Sequence, residues 1–256
     1  MSLMQIKTDQ ELDIMDRANA LVHEVLNGLA KEIRPGVVLK DLDAMAEAWT
    51  RKKGAIPAFK GYRQGSKAYP ASVCISINEE VVHGIPGRRR IAEGDIVSMD
   101  FGVLLDGFYG DSALTVAVGQ VDEGAGRLLR TTRESLFKGI EQMVEGNRVQ
   151  DVSHAVQVHA ESQGYSVVRS FVGHGISRHL HEEPKVPNFG EPGRGPRLQS
   201  GLVLAIEPMV NEGGYEVDTD GDGWTVRTAD GRRSAHFEYS VAVTPSGPRV
   251  LGGDNL

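Results

Sequence analysis

Two acidic residues lie in a segment that predicts a hairpin of buried strands. Apolar residues surround the dipeptide Asp106-Gly107, and this dipeptide is a strong signal for a two-residue turn. Pairing counted outward from that turn places Gly102 opposite Asp111, so Asp100 and Asp111 become diagonal neighbours on one face. An ionised carboxylate inside an apolar strand is unfavourable unless a cation meets it. The pair therefore predicts a shared bound ion, and two solvated acids on an exposed hairpin are the alternative.

Three further residues extend the acidic pair into a candidate metal site. His174 lies between two glycines after a predicted strand over 165–172, and the glycines allow a ligand close to the imidazole. Glu207 is the single acid in the apolar run 202–209, and Glu238 points away from its apolar neighbours in an alternating strand. Taken alone, such a histidine is more often structural. Together these acids and the histidine form an oxygen-rich set whose charge of about −4 suits a pair of divalent metal ions.

Helices and strands must alternate along the chain to position these residues. Thr8 and Glu11 form the capping-box pattern of a helix that runs to Pro35-Gly36, and a second helical pattern ends before Gly54. Two more helical patterns cover 128–144 and 152–160. The β-rich runs are 72–78, 96–118, 165–172, 202–209, 224–228 and 236–244. The sequence therefore predicts a mixed α+β fold with four helices.

Composition places the chain among ordinary globular proteins. Its 256 residues are 40% hydrophobic, and we expect a single domain over 8–256 after a tail over 1–7. Because Met4 could itself serve as a start, we interpret residues 1–3 as a remnant of cloning. A net charge of −7 disfavours a nucleic-acid partner, and a single cysteine excludes an intrachain disulfide. Without an apolar span or a secretion signal, the chain is expected in the cytoplasm, with no membrane partner.

Five segments of the chain carry a shared pattern: 78–86 (NEEVVHGIP), 98–111 (SMDFGVLLDGFYGD), 173–184 (GHGISRHLHEEP), 206–211 (IEPMVN) and 234–238 (SAHFE). In this order they closely resemble the type I methionine aminopeptidases. The short separation of His181 from Glu207 leaves no room for the helical insertion of the type II enzymes. The resemblance implies the pita-bread fold, in which two pseudo-symmetric αβ halves surround a curved antiparallel sheet with two metal ions at its centre.

The resemblance also implies a ligand set for two divalent metal ions. Asp111 and Glu238 resemble the carboxylates that bridge both ions. Asp100 resembles a ligand of one ion, and His174 and Glu207 resemble ligands of the other ion. Cobalt, manganese, iron or zinc would all suit these groups, so the identity of the metal stays open.

The implied activity is removal of the N-terminal methionine when the second residue of the substrate is small. A hydroxide held between the two metal ions would attack the scissile carbonyl, and Glu207 would take the proton of the water. His181 would donate to the developing oxyanion, while His83 would contact the scissile amide nitrogen. The free α-amine of the substrate would complete the coordination of one metal ion, which would make the enzyme an aminopeptidase.

A methionine pocket completes the implied site. An aromatic-lined slot suits a flexible thioether side chain, although each of these residues also reads as ordinary core. The sequence departs from the family at Leu180, where an aromatic is often found, and by a few extra residues over Arg63–Ala68 near the pocket mouth. The residues that match the pocket are Phe59, Tyr62, Tyr69, Cys74, His83 and Trp224.

Two alternative functions fit parts of this pattern. A relative on the same fold, an Xaa-Pro aminopeptidase or prolidase, shares the five metal ligands but usually carries a further N-terminal domain. A non-catalytic binding protein with the pita-bread fold typically loses ligands, and all five are present here. We expect a monomer that acts on the N-termini of nascent polypeptides, and a ribosome contact through Arg88–Arg90 is a hypothesis.

Overall fold

The computed structural model of the chain describes residues 4–65, 67–253 and 256, and residues 1–3, predicted to be a cloning remnant, lie outside this part. Within it the four predicted helices are present. Their bounds are α1 Asp9–Glu32, α2 Leu39–Lys52, α3 Glu123–Ile140 and α4 Val149–Ser162.

The strands of the first half of the chain, before α3, are β1 Ile56–Pro57, β2 Arg63–Gln64, β3 Lys67–Ala68, β4 Cys74–Ile77, β5 Glu80–Val82, β6 Ile96–Leu105 and β7 Phe108–Ala117. The strands after α3 are β8 Ser166–Val167, β9 Gly173–Gly175, β10 Glu182–Val186, β11 Val203–Ile206, β12 Met209–Asn211, β13 Val217–Thr219, β14 Val226–Thr228, β15 Ser234–His236, β16 Glu238–Thr244 and β17 Gly247–Val250.

A nine-stranded antiparallel sheet forms the centre of the fold. Its main order is β1-β6-β7-β16-β11-β9-β10, and β4 and β17 pair with β6 and β16. The long hairpin β6–β7 has the register expected from its turn, with Gly102 opposite Asp111. One side of the sheet packs against apolar faces of the helices, whose fully buried residues include Leu26 and Leu42. The sheet therefore brings strands from both halves of the chain side by side.

The two helix pairs repeat one local design. The capping box at Thr8 starts α1, and Asp122 caps α3 by accepting from the Ala125 backbone N–H. A glycine with positive φ, Gly36 or Gly146, then turns the chain toward the second helix of each pair. Both second helices contain 14 residues and follow a residue held by an isolated β-bridge. The fold is thus built from two similar αβ halves, as the resemblance implied.

Three predicted elements are wrong in extent. Helix α3 ends at Ile140 rather than at 144, because the following residues turn and the Gly146 N–H donates to the Leu198 carbonyl. The run 202–209 is broken at Pro208, which has no N–H for a sheet bond. The predicted strand over 165–172 shrinks to Ser166–Val167, since the chain then leaves β12 to bring Gly173 beside β11.

Among the helices of the described chain, none combines the length and the apolar character that a membrane span requires.

The close contact between hairpin β6–β7 and α1 predicts the effect of adding one methyl group. A Cβ at Gly110 would lie 2.8 Å from the backbone of Ala18 and Asn19, so helix and strand would have to separate. Gly110→Ala should lower the free energy of unfolding by about 1–3 kcal/mol in urea denaturation. The matched control Gly221→Ala adds its Cβ where no atom lies within 4 Å and should change stability little. Equal midpoints for both variants would contradict this packing.

Candidate metal centre

One cavity of about 660 Å³ lies at the centre of the sheet. Its walls contain every residue predicted for the metal site, the catalytic histidines and the methionine pocket. These residues come from distant parts of the chain, between positions 59 and 238, so the fold brings them together rather than any local motif.

The hairpin β6–β7 supplies the two aspartates. Asp100 lies opposite Ala113 and Asp111 opposite Gly102, which makes the aspartates the diagonal neighbours that the turn predicted. Asp111 is buried, and its backbone N–H donates to the Asn19 side chain of α1 at 3.2 Å. The missing side chain of Gly102 also leaves room, because a Cβ there would lie 3.2 Å from the Asp111 Oδ1. Strand pairing and the α1 contact therefore fix the Asp111 backbone.

Two strands of the second half supply the glutamates. Glu238 is the first residue of β16 and pairs with Ala113, so it lies beside the aspartate hairpin. Glu207 lies between β11 and Pro208, where the ladder stops, and its backbone carbonyl accepts from the Asn188 side chain at 3.2 Å. The break that shortened the predicted strand therefore leaves Glu207 at the edge of the cavity.

His174 presents one nitrogen to these acids. Its Nδ1 lies 3.0 Å from the Gly175 carbonyl, and because a carbonyl only accepts, Nδ1 carries the proton. The unprotonated Nε2 lies 3.6 Å from Glu207 Oε1 and 3.9 Å from Asp111 Oδ2. A lone pair that faces two carboxylates is repelled unless a cation lies between them. The orientation of His174 is thus the one that a metal ligand requires.

Burial sets the protonation of the whole cluster in the absence of a cation. It raises the pKa of Asp100 to about 7, and burial followed by the charge of Asp100 raises that of Asp111. The pKa values of Glu207 and Glu238 are raised by burial first and by neighbouring carboxylates second. Burial also lowers the pKa of His174 to about 3, so its imidazole is neutral at pH 7. Carboxylates that repel one another beside a neutral imidazole favour a bound cation.

Unpaired buried oxygens test whether this site fits a metal ion. Within the described chain, Asp100 Oδ1, Asp111 Oδ1 and Glu238 Oε1 are buried without a hydrogen-bond partner. Ligand atoms of Asp111, His174 and Glu238 all lie within 4.8 Å of one another. Asp100 and Glu207 stand outside this tight group but line the same cavity. Metal coordination would satisfy the orphaned oxygens, so the residues present fit the predicted group.

Two histidines stand next to the acidic cluster. The ring of His181 lies 4.3 Å from that of His174, and its Nδ1 lies 2.7 Å from the Tyr62 hydroxyl. His83 follows β5 with a φ of 61° and makes an edge contact with the Trp224 ring. Burial lowers the pKa of His83 to about 4 and lowers that of His181 as well. Both imidazoles are therefore neutral near pH 7 and can each donate one proton in a hydrogen bond.

The predicted methionine pocket forms an aromatic wall beside the metal site. The rings of Tyr69 and Trp224 pack edge to face at 5.2 Å, and the Tyr69 hydroxyl donates to the Gly84 carbonyl. Cys74 pairs with Asp100 across β4 and β6, and burial raises the pKa of its thiol. Phe59 packs over Gly102 in the same wall. The wall is apolar except for the hydroxyl, thiol and indole N–H groups at its edges.

The two predicted departures from the family pattern both lie next to this pocket. Arg63–Gln64 and Lys67–Ala68 pair as a small hairpin, and Ser66 between them lies outside the described residues. Arg63 and Leu180 both line the cavity. That the hairpin contains extra residues relative to the family stays a prediction.

Two residues of the site were missed by the sequence interpretation. The ring of Phe171 lies 5.5 Å from that of His83, inside a stretch that was predicted to be strand. His236 is buried with its Nε2 3.9 Å from Glu207 Oε2, and both ring nitrogens are without a hydrogen-bond partner in the described chain. The sequence did contain a signal for His236. It precedes Glu238 by two residues in the strand predicted over 236–244, and residues two apart in a strand lie on one face.

Comparison with known proteins decides the family. Residues 13–245 match metallopeptidase family M24. The chain belongs to this family. It is 52% identical to the methionine aminopeptidase of Clostridium perfringens over 96% of this chain and 97% of that protein. The crystal structure of the methionine aminopeptidase from Thermotoga maritima superposes with a TM-score of 0.94 at 43% identity, over 98% of this chain and all of that one.

Solved structures of lower identity show a likeness in fold. The prolidase from Pyrococcus horikoshii aligns with a TM-score of 0.78 at 22% identity, over 97% of this chain and 63% of that one. The architecture of this M24 chain is therefore the pita-bread fold, as predicted. The family match covers most of the predicted domain over 8–256, whose boundaries stay a prediction.

The raised pKa values predict how metal removal acts on stability. Without metal, the buried carboxylates bind protons more tightly in the folded chain than in the unfolded one. The metal-free fold should therefore lose stability as pH rises from about 4 through the Asp100 pKa of about 7. Since cations replace these protons, the increase in melting temperature from manganese over EDTA should be larger at a pH of about 7.5, above the Asp100 pKa, than at about 5.5, below it.

Two variants control this measurement. Asp111→Asn removes one buried carboxylate and should shrink the metal-induced shift at the higher pH. Asp218→Asn changes an exposed acid of the β13–β14 hairpin and should leave the shift as it is in the parent chain. A shift that is independent of pH, or equal in both variants, would contradict a cation bound by the cluster.

Proposed function

We propose that the chain is a methionine aminopeptidase that removes the N-terminal methionine from peptides and nascent proteins whose second residue is small. Family membership and the 52% identical relative support this activity. The observation that carries the proposal in the molecule is the cluster of buried carboxylates and one oriented imidazole beside an aromatic wall.

Two divalent metal ions per chain are the proposed cofactors, with Asp100, Asp111, His174, Glu207 and Glu238 as their ligands. Asp111 and Glu238 lie centrally and are proposed to contact both ions. Bound divalent ions would supply an activated water and polarise the scissile carbonyl. Cobalt, manganese, iron or zinc would suit these oxygen and nitrogen ligands.

The side chains around the cluster can perform the proton transfers of peptide hydrolysis. Glu207 lines the cavity with its Oε1 3.6 Å from His174 Nε2, so its carboxylate is placed to take the proton of the water. If the Tyr62 hydroxyl donates to His181 Nδ1, the Nε2–H of His181 is left to donate to the developing oxyanion. His83, placed against Trp224, would orient the scissile amide nitrogen.

The aromatic wall accounts for the choice of methionine. A thioether side chain can pack against the Tyr69 and Trp224 rings, with the Cys74 thiol and the Phe59 ring beside it. Tyr62 and His83 would close the slot on the side of the scissile bond. Because the wall adjoins the carboxylates, a methionine seated there would place its free α-amine toward the cations that they hold.

The cellular setting is part of the proposal. We propose a cytoplasmic monomer that meets the N-termini of nascent polypeptides and binds neither nucleic acid nor membrane. A ribosome contact through Arg88–Arg90 stays a hypothesis. Two of these arginines already have partners within the chain, since Arg89 pairs with Glu80 and Arg90 donates to the Gly36 carbonyl.

A substrate panel tests the activity. The metal-reconstituted protein should release free methionine from Met-Ala-Ser and Met-Gly peptides, and it should leave Ala-Pro and Phe-Pro peptides intact. Faster cleavage of the Xaa-Pro peptides would favour the prolidase alternative. A protein that retains no stoichiometric metal after mild purification and cleaves no peptide would be a binding protein.

The proposed donor role of His181 predicts a particular kinetic change. His181→Ala should lower kcat roughly 100-fold or more with KM within about twofold, because only a contact made in the transition state is lost. Bound metal, measured by elemental analysis, should be unchanged.

His159→Ala is the matched control, since this histidine pairs with Glu134 on the helix surface. It should leave kcat and KM at the parent values. A His181 variant whose KM alone rises would refute the donor role.

A further inference from the structure

A buried lysine lies close to the turn that carries His181. Lys7 belongs to the segment just before α1, and its side chain is only 3% exposed. Burial lowers the pKa of its ammonium to about 8. Placing an ammonium out of water reduces the stability of a fold unless partners compensate. Stability alone therefore does not explain why Lys7 is buried at this position.

The backbone around Lys7 is fastened to the second half of the chain. The Lys7 N–H donates to the Gly201 carbonyl at 2.8 Å, and Ile6 forms an isolated bridge with Leu202. The Lys7 Nζ donates to the Gln5 carbonyl at 2.8 Å, and Gln5 lines the central cavity. The segment thus crosses from α1 to the cavity wall and holds the ammonium in place.

The partner of the ammonium is Glu182. Its Oε2 lies 3.9 Å from the Lys7 Nζ and has no hydrogen bond in the described chain. Its Oε1 accepts from the Ser177 hydroxyl at 2.6 Å and from the His179 backbone N–H at 3.0 Å. One carboxylate therefore closes the turn over 177–182 on one side and faces Lys7 on the other.

His181 is the residue directly before Glu182 in that turn. It is exposed on the cavity side, where it contacts the His174 ring and the Tyr62 hydroxyl. Neither contact fixes the backbone of the turn. The Glu182 backbone is paired with Gly175 in the sheet, so a displaced Glu182 carboxylate would loosen the turn that it closes through Ser177 and His179. The imidazole would move with that turn.

We propose that Lys7 is a positioning residue for catalysis, whose ammonium holds Glu182 and so fixes the His181 imidazole over the reacting carbonyl. This inference rests on the proposed function, in which His181 donates to the oxyanion. The ion pair serves geometry, because two apolar or neutral side chains of similar size would fill the same space without burying charge.

Three variants separate positioning from stability. Lys7→Met, Glu182→Gln and the double variant K7M/E182Q should each lower kcat roughly 10- to 100-fold on Met-Ala-Ser, with KM within about twofold and bound metal unchanged. Because the pair acts as a unit, the double variant should be no slower than the slower single variant. Its melting temperature should equal or exceed that of the parent, since no buried charge is left unpaired. Losses that multiply in the double variant, or a kcat of the double variant that falls together with its melting temperature, would overturn the proposal.

A second cycle tests whether Lys7 acts through His181. In a His181→Ala background, Lys7→Met should cause no further loss of kcat, because the group that it positions is gone. An equal fold loss with and without His181 would overturn the proposal.

Lys53→Met is the matched control for charge removal. Lys53 pairs with Glu24 at 2.8 Å, but both side chains are more than half exposed. This variant should retain the kcat of the parent chain. If the parent chain releases methionine and Lys7→Met is equally active, only the positioning role fails. A parent chain that releases none would refute the proposed function itself.

Discussion

The structure depends on the mutual repulsion of carboxylates that are buried at the centre of one sheet. Burial and neighbouring charge raise the pKa values of Asp111, Glu207 and Glu238, so the cluster resists ionisation when no cation is present. The imidazoles of His174 and His236 lie within 3.9 Å of Glu207 oxygens, and burial lowers both of their pKa values to about 3. Neutral imidazoles cannot balance the acids. Metal ions can balance the charge of the acids, which the fold holds close together.

The two αβ halves explain how such a cluster can be rigid. The first half contributes Asp100 and Asp111 from one long hairpin, whose register is fixed over ten residue pairs. The second half contributes Glu207 and Glu238 from strand ends, where the ladder stops, and His174 from the middle of the three-residue strand β9. Pairing of β16 with β7 joins the halves at Glu238 and Ala113. The sheet therefore supplies precise placement, and the ends of its short strands supply room for ions and substrate.

The hairpin could be predicted because its signals are local. Asp106-Gly107 fixes the turn, the turn fixes the register, and strand parity then places Asp100 beside Asp111. Those local rules do not specify where β9 lies, since the three residues around His174 depend on pairing with β11, distant in sequence. Nor do these local rules predict that Phe171 lines the cavity, because the strand predicted over 165–172 already ends at Val167. The metal ligands of the second half were candidates because each is a polar residue in an unusual local setting, but which metal ion each would bind came from family resemblance, because their convergence is tertiary.

Charge distribution within the cavity explains why such a site would prefer chain ends. Carboxylates form its floor, and the rings of Tyr69 and Trp224 form its wall. A methionine side chain on that wall brings the next nitrogen of the substrate toward the acids. A free α-amine can offer its lone pair to a cation held by the acids, whereas the lone pair of a peptide nitrogen inside a chain is delocalised into the carbonyl and binds no metal ion. The cations that the buried acids require would therefore also select a free N-terminus.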